Sequence, residues 1–351
     1  MERADKGLAF MLQYENVAWY ESGSVRILDR RIYPVSVEFV ICSRHEEVAQ
    51  AIADMVTQSA GPYTAAGMGM ALAAHEARDF DSEKFEAHMK TAAHTLSHAR
   101  PTTVERMKAI TAGCLTIALQ ARESGEAVDL AIRGHVVSNL NTRYNKIGQA
   151  AEYLVDLFPK KGTIMTQCFG ETIVGQMLRA ARARDYELKI ICPETRPYFQ
   201  GARLTASVAK DMAYDVTVIT DNMPAYVMQT QKVDVFTSAA DAICMDGYVV
   251  NKIGTLQIAI AAKYFGIPYF VTGAPDKGHP TIDTVTIEAR DPKFVLQAMG
   301  VRTAMEGVQG FYPSFDATPP HLVSSVVTDR GIFSPYDLER YYASGDTALV
   351  I

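Results

Sequence analysis

The sequence lacks the features that mark secreted, membrane-spanning and nucleic-acid-binding proteins. Its five cysteines are odd in number, scattered and never form a CxxC pair, which argues against a disulfide framework or a zinc knuckle. No apolar run approaches the ~20 residues that cross a bilayer, and the opening stretch MERADKGLAFMLQYENVAWY lacks a signal-peptide core. No run of Lys or Arg stands out and the net charge is −6, so nucleic-acid binding has little electrostatic support. We therefore expect a cytoplasmic protein whose partners include neither a membrane nor a nucleic acid.

Nucleotide-binding motifs are also missing. No GxGxxG follows a predicted strand and no P-loop is present, so no dinucleotide is expected, and neither a cofactor nor a metal is predicted for the reaction. A hydrophobic content of 48% and a charged content of 21% are those of an ordinary globular protein. The length of 351 residues gives ample core for one large domain or two. Most of the cysteines are expected to be small buried apolar residues, with at least one acting as a working thiol.

The first part of the chain divides into a β segment and a helical segment. Residues 14–42 alternate apolar and polar side chains around a turn at Ser22–Gly23, which predicts a short antiparallel hairpin or meander. From 46 to 158, apolar residues recur at helical spacing. We therefore predict an N-terminal β meander over 1–45 and a helical domain over 46–160.

The second half of the chain alternates short apolar runs with helical segments. This alternation predicts an α/β fold with a doubly wound parallel sheet, a Rossmann-like domain over 161–351 that ends in a C-terminal tail. Ligands of such sheets bind beyond the carboxyl ends of the strands. Cys168, Arg196, Asp241 and Gly273 each follow a predicted strand, so we expect them to lie at that edge of the sheet.

Four segments carry a family resemblance: TQCFGET, PETRPYFQGARLT, AADAICMDGYVVNKIGT and FDATPPHLVSSVVTDRG. In combination they resemble the methylthioribose-1-phosphate isomerase family. Its wider superfamily includes ribose-1,5-bisphosphate isomerase and the regulatory subunits of the translation initiation factor that exchanges guanine nucleotides. The resemblance implies the fold predicted above, a homodimer, a small sugar phosphate as ligand and a place in methionine salvage.

The resemblance also implies roles for particular side chains. Cys168 and Asp241 would form a catalytic acid–base pair. Four further side chains would contact the sugar phosphate: Arg100, Gln200, Asn251 and Lys252. The reaction would convert an aldose 1-phosphate to a ketose 1-phosphate, with 5-methylthioribose 1-phosphate as the first choice of substrate.

The chemistry explains why these residue types are suitable. A phosphate on C1 prevents opening to a free aldehyde, so the enzyme must protonate the ring oxygen and move hydrogen from C2 to C1, as a proton or as a hydride. Asp241 is expected to be the acid, with its pKa raised by an apolar wall that includes Ile243. Cys168 is expected to be the base, with its pKa lowered by a following helix or a nearby cation. Lys252, predicted at the start of a helix, offers the phosphate an ammonium group and a helix amino terminus.

The sequence departs from the family pattern where the isomerases carry Arg-Gly-Ala-Pro, because the segment Thr57–Gly61 contains no Arg. Gly61, Gly67 and Gly69 either form an anion-binding nest in its place or only permit helix packing. The substituent at C5 therefore stays open, with 5-deoxyribose 1-phosphate and ribose 1,5-bisphosphate as alternatives. A non-catalytic subunit that senses a sugar phosphate or nucleotide is the alternative from another class.

Overall fold

The computed structural model of the protein describes residues 3–100 and 104–343. The chain divides into two compact units between Asn145 and Lys146, inside a long helix. The three-part domain division drawn from the sequence stays a prediction.

The N-terminal unit contains a three-stranded antiparallel sheet. Its strands follow in the order β1 (Ala18–Glu21), β2 (Ser24–Leu28) and β3 (Phe39–Cys42). Ser22 and Gly23 both have positive φ, 50° and 80°, as a two-residue hairpin turn requires if its twist is to match that of the paired strands. The predicted meander is therefore present, although a short helix, α1 (Tyr14–Val17), precedes its first strand.

Helices make up the rest of this unit. They are α2 (His45–Ala53), α3 (Gly61–Glu76), α4 (Ser82–Ser97), α5 (Val104–Ser124) and α6 (Val128–Asp156), of which α6 continues into the second unit. Helix α3 is buried on nearly every side, which explains its composition of Ala, Gly and Met. Met68 and Met70 are fully buried, so this pair packs in the core. Helix α4 starts where the Asp81 carboxylate accepts a hydrogen bond from the Lys84 N–H.

The C-terminal unit is built on a seven-stranded sheet. The strands are β4 (Lys161–Met165), β5 (Glu187–Pro193), β6 (Asp215–Ile219), β7 (Val235–Ala239), β10 (Tyr269–Thr272), β14 (Ser325–Thr328) and β15 (Gly331–Phe333). The helices of this unit are α7 (Thr172–Ala183), α8 (Ala206–Asp211), α9 (Pro224–Thr230), α10 (Thr255–Tyr264) and α11 (Glu339–Ala343). A π-helical turn, Gly201–Thr205, leads into α8.

The order of strands across this sheet is β15-β14-β10-β7-β4-β5-β6. All neighbouring pairs are parallel except β14 with β15, so the predicted doubly wound sheet is confirmed, with one antiparallel edge strand. The chain moves outward from β4 in one direction and then returns to the other side of it at β7. The topological switch point, where ligands of such sheets bind, therefore lies between β4 and β7.

Short strands complete the unit. A small antiparallel sheet pairs β9 (Val249–Lys252) with β8 (Ala242–Ile243) and β13 (Phe315–Thr318), and a hairpin pairs β11 (Gln297–Ala298) with β12 (Val301–Arg302). At the centre of the large sheet the rings of Phe236 and Tyr269 stack at 4.3 Å. No helix in the described part of the chain is both long enough and apolar enough to span a bilayer.

Candidate active site

Cys168 and Asp241 lie at the two sides of the switch point. Strands β4 and β7 are neighbours in the sheet, and Met165 pairs with Phe236. Cys168 follows β4 closely and Asp241 follows β7, so both occupy the carboxyl edge of the sheet. The negative charge of Asp241 contributes to raising the pKa of the Cys168 thiol, which means that the two groups are electrostatically coupled.

The backbone of Cys168 is held from both sides by threonines of the PETRPYFQGARLT segment. Its φ is +58°, a conformation that a side chain other than glycine adopts at a cost unless its surroundings enforce it. Its N–H donates to Oγ1 of Thr195 at 3.2 Å, and the Thr205 hydroxyl donates to its carbonyl oxygen. The turn that carries Thr195 is in turn fixed by Asp221, whose carboxylate accepts from the Thr195 N–H at 2.7 Å and the Arg196 N–H at 2.6 Å.

Gln200 precedes the π-helical turn in the same segment. The turn requires glycine at its first position, because a Cβ on Gly201 would lie 1.8 Å from the carbonyl oxygen of Pro193. Gln200 is 7% exposed, and within the described residues its Oε1 has no hydrogen-bond partner. A buried amide oxygen without a partner is costly, so this atom is a candidate contact for a bound ligand.

Asn251 and Lys252 lie on strand β9, and the prediction that Lys252 begins a helix is wrong. Antiparallel pairing of Lys252 with Phe315 keeps the chain extended, and Gly254, at φ +102°, ends that segment before α10 begins at Thr255. Asn251 Nδ2 donates to the Thr255 hydroxyl at 3.0 Å, which links the strand to the helix.

The amino terminus of α10 is already occupied by a carboxylate. Asp316 accepts from the Gly254 N–H at 2.7 Å and from the Leu256 N–H at 3.2 Å. Burial raises the pKa of Asp316 to about 6, although these hydrogen bonds and Lys252 act in the opposite direction. A phosphate would therefore find the Lys252 ammonium group here but not the free helix terminus that the sequence suggested.

The thiol of Cys168 is protonated at neutral pH. Burial raises its pKa to about 11; the positive charge of Lys252 opposes this, and Asp241 adds to it. The expectation of a lowered thiol pKa is therefore wrong. Helix α7 begins only at Thr172, after Glu171 at φ +55°, so the thiol is not at its N-cap, and one cation does not outweigh the loss of water around the sulfur.

Asp241 has a different environment. Its N–H donates to the Val250 carbonyl at 2.9 Å, while the residue as a whole is exposed. Ile243, expected in an apolar wall beside it, is 1% exposed and belongs to the core below the sheet edge. Because Asp241 is exposed, apolar side chains do not enclose it, and an effect of the flanking Ala239, Ala240 and Ala242 stays a prediction.

A cavity of about 20 Å³ lies next to the thiol. Its lining includes Cys168, Gly170, Ile173, Val174, Ser238 and Ala239. This volume holds about one water molecule and not a pentose.

Tyr312 is a candidate site residue that the sequence did not single out. It is 3% exposed, and within the described residues its hydroxyl has no hydrogen-bond partner. Burial raises the pKa of Tyr312, and the positive charge of Arg290 acts in the opposite direction. Cys168 also contributes to raising this pKa, which indicates that the phenol lies near the thiol. Tyr312 lies just before the family segment FDATPPHLVSSVVTDRG, and Asp316 lies within it. The resemblance of this segment to the family was therefore the sequence signal that could have indicated both residues.

Arg100 and Gly61 belong to the N-terminal unit, and their contact with substrate stays a prediction. Arg100 directly precedes residues 101–103, which are outside the described part of the chain. A Cβ on Gly61 would lie 1.9 Å from Oγ1 of Thr57, so glycine is required there for close packing. The side chain of Arg30 is fully buried and donates a hydrogen bond to the Gln58 carbonyl at 2.8 Å, so it stabilises the segment Thr57–Gly61.

Gly67 and Gly69 serve helix packing. Added Cβ atoms would lie 2.7 Å from Val136 and 2.9 Å from Leu96, respectively. Of the two interpretations left open for these two glycines, packing fits the structure.

Comparison with known proteins gives consistent matches. The profile of the initiation factor 2 subunit family matches residues 58–335. The methylthioribose-1-phosphate isomerase of Heliobacterium modesticaldum is 33% identical over 347 residues, which cover 93% of this chain and 98% of that protein. The isomerase of the same name from Thermotoga neapolitana is 32% identical over 339 residues, with 92% and 96% covered.

Two solved structures are similar over nearly their whole length. The 5-methylthioribose 1-phosphate isomerase of Pyrococcus horikoshii has a TM-score of 0.82 at 28% identity and covers 96% of this chain and 99% of its own. The delta subunit of the translation initiation factor eIF-2B from A. fulgidus has a TM-score of 0.82 at 29% identity, with 92% and 97% covered.

Proposed function

Because this chain belongs to the initiation factor 2 subunit family and, within it, to the methylthioribose-1-phosphate isomerase family, we propose that it is an aldose–ketose isomerase of a pentose 1-phosphate. The observation that supports this best is that Cys168 and Asp241 follow two neighbouring strands at the switch point, where they are electrostatically coupled. The first choice of substrate is 5-methylthioribose 1-phosphate, whose conversion would belong to methionine salvage.

The environments of the pair suggest roles opposite to those expected from the sequence. A thiol that keeps its proton is a donor, so Cys168 protonates the ring oxygen as the bond between C1 and that oxygen breaks. Asp241, which is exposed, accepts the proton from C2, and an enol forms between C1 and C2. Asp241 then returns its proton to C1, and the thiolate takes the proton of the 2-hydroxyl, which leaves a ketone at C2. Both groups end the cycle in the state in which they began.

A hydride route uses the same donor. The hydrogen of C2 then passes to C1 with its electron pair, and Cys168 again gives a proton to the ring oxygen and recovers one from the 2-hydroxyl. Turnover in D₂O distinguishes the routes. In the proton route the proton held by the exposed Asp241 exchanges with solvent before it is returned, so deuterium enters C1 of the product, whereas a hydride carries the original hydrogen of C2 to C1.

The phosphate would be held by the Lys252 ammonium group, with the amide of Gln200 as a polar contact. Lys252 is 6% exposed and its Nζ lies 4.8 Å from the centre of the Phe315 ring, so a positive charge is held at a fixed, largely dry position. Such a charge attracts a phosphate more strongly than a mobile surface lysine does. Asn251, already bonded to Thr255, contributes through the position of β9.

A panel of aldose 1-phosphates that differ only at C5 tests the proposal. We expect ketose formation, followed by NMR, with the methylthio compound best and the 5-deoxy compound next. Ribose 1,5-bisphosphate is ranked last because the sequence offers few cations for a second phosphate. Absence of a ketose from every compound in the panel would refute the isomerase function.

A non-catalytic subunit is the second candidate, and the equal similarity to the A. fulgidus eIF-2B delta subunit favours it. It predicts no turnover on the panel together with a stable complex with unlike subunits. The isomerase proposal predicts a homodimer in light-scattering measurements on the purified protein and cytoplasmic location.

A further inference from the structure

Three metal-binding side chains converge in the N-terminal unit. Nδ1 of His45, at the start of α2, lies 2.7 Å from Oε2 of Glu76, at the end of α3. Nε2 of His88, on α4, lies 3.1 Å from the same oxygen. These three atoms lie within 4.8 Å of one another, so three helices each direct one ligand atom to a common point.

The surrounding contacts fix the orientation of these ligands. Oε1 of Glu76 accepts a hydrogen bond from the His45 backbone N–H at 2.6 Å, which leaves Oε2 directed at the two imidazoles. The ring of Phe80 packs edge-on against His88 at 5.7 Å. The His45 side chain is 3% exposed, and those of Glu76 and His88 are 18% and 22% exposed. The cluster is thus a half-buried and supported arrangement with access from solvent on one side.

We propose that His45, Glu76 and His88 form a binding site for a divalent transition metal, with Zn²⁺ as the preferred ion. Two imidazole nitrogens and one carboxylate oxygen are a donor set that zinc uses, with a fourth position left for water or another ligand. Glu46 is a candidate fourth ligand, because its Oε2 lies 3.4 Å from Nδ1 of His45. The site clamps α2, α3 and α4 together and adds no step to the isomerisation.

Metal entry requires only small movements. The present nitrogen–oxygen distances are those of hydrogen bonds, in which both rings donate to Oε2. On binding, the protons on these two nitrogens move to the other ring nitrogen or to solvent. Zinc bonds of ~2.0–2.2 Å spread the ligand atoms slightly further apart, and Glu76 and His88, whose side chains are 18% and 22% exposed, are the ligands that would move.

The chain also offers a matched control. His94, in the last turn of α4, and His98, directly after the end of that helix, are both exposed, and their rings stack at 4.0 Å. Such a pair is itself able to capture a metal ion weakly. Replacing this pair therefore shows whether a metal ion binds at His45, Glu76 and His88 or nonspecifically at exposed histidines.

The experiment uses the full-length protein after treatment with a chelator. Co²⁺ is titrated while its visible absorption is followed, and Zn²⁺ binding is measured by equilibrium dialysis, for the wild type, Glu76→Gln, His88→Asn and the double variant His94→Asn/His98→Asn. We expect one tight site in the wild type and the double variant, with affinity at least ~10-fold weaker in Glu76→Gln and His88→Asn. We also expect Zn²⁺ to raise the melting temperature of the wild type and of the double variant only.

Three results would overturn the proposal. The first is the absence of a tight site in the wild type, the second is wild-type affinity in Glu76→Gln and His88→Asn, and the third is loss of binding in the His94→Asn/His98→Asn variant alone. Circular dichroism shows whether each variant is folded. If His88→Asn is not, Glu76→Gln decides, since its amide oxygen can still accept the hydrogen bond from the His45 N–H.

Discussion

The two loops that flank the switch point are built in contrasting ways. The loop after β4 is largely buried, with Cys168 itself half-buried, and hydrogen bonds to Thr195 and Thr205 fix its backbone; burial raises the pKa of its thiol to about 11. The turn after β7 presents Asp241 to solvent, with a backbone hydrogen bond to Val250. The two sides of the switch point thus carry a thiol with little access to water and an exposed carboxylate, since sheet topology decides which residues are near each other and local packing decides how much water reaches each of them.

Removing either group is expected to have the largest effect. Cys168→Ser and Asp241→Asn should each lower the turnover number by ~10²–10⁴-fold, because each removes one proton-transfer group. Steady-state kinetics on the best substrate of the panel measures this. Cys244→Ala, a buried cysteine of the same unit, and Asp215→Asn, an exposed residue at the opposite edge of the sheet, are the controls and should retain turnover. Near-normal rates in Cys168→Ser or Asp241→Asn would contradict the assigned pair.

A second variant changes the π-helical turn beside the Cys168 loop and leaves the thiol itself in place. Gly201→Ala places a methyl group 1.8 Å from the Pro193 oxygen, so we expect destabilisation by ~3 kcal/mol or more together with loss of activity. Urea unfolding measures the free energy. Gly134→Ala, on α6 with open space around the added Cβ, should be neutral or stabilising by up to ~1 kcal/mol. Equal behaviour of the two variants would show that the turn tolerates a side chain.

The charges around the thiol can be separated by chemical modification. Iodoacetamide reacts with the thiolate, so alkylation of Cys168, identified by mass spectrometry, should rise with pH towards a midpoint at about 11. Asp241→Asn should shift that midpoint to lower pH, because it removes a negative charge, and Lys252→Met should shift it to higher pH. A wild-type midpoint below 9.0, the ordinary value, would contradict the protonated thiol.

The smallest expected effect concerns the half-buried carboxylate of Asp316, which contrasts with the exposed Asp241. Its pKa in the folded state is about 6, above the ordinary 3.8, so the folded protein binds more protons than the unfolded chain between these values. Asp316 therefore contributes stability that is fully present below about pH 4 and is lost as the pH rises through about 6. The difference in unfolding free energy between the wild type and Asp316→Asn should decrease over that interval. A difference that is constant with pH would show that Asp316 does not titrate there.

The sheet and the residues at its edge were predictable because they follow from local patterns. Apolar runs between helical segments marked the strands that end near Cys168 and Asp241, and parallel strands bring their ends to one edge. The family resemblance added the pairing of these two residues as an acid and a base, which no periodicity could supply.

The details that the sequence did not reveal depend on contacts between distant parts of the chain. Lys252 was placed on a helix because the pairing of β9 with Phe315 is not visible locally. The thiol pKa was predicted in the wrong direction because the burial of a sulfur atom depends on the packing of several elements around it. Asp316 lies within a family segment and Tyr312 lies just before it, but their positions near Lys252 and Cys168 arise only from contacts between distant parts of the chain.

The return of strand β13 to β9 has a consequence for how this protein is made. Lys252 and the start of α10 gain their partners from Phe315 and Asp316, some sixty positions later in the chain. While a ribosome is still adding the residues between them, the strand that carries Lys252 has no neighbour on that side and the first turn of α10 has no cap. The side of the candidate site that carries Lys252 is therefore completed late in synthesis, after the segment that carries Cys168 has already emerged.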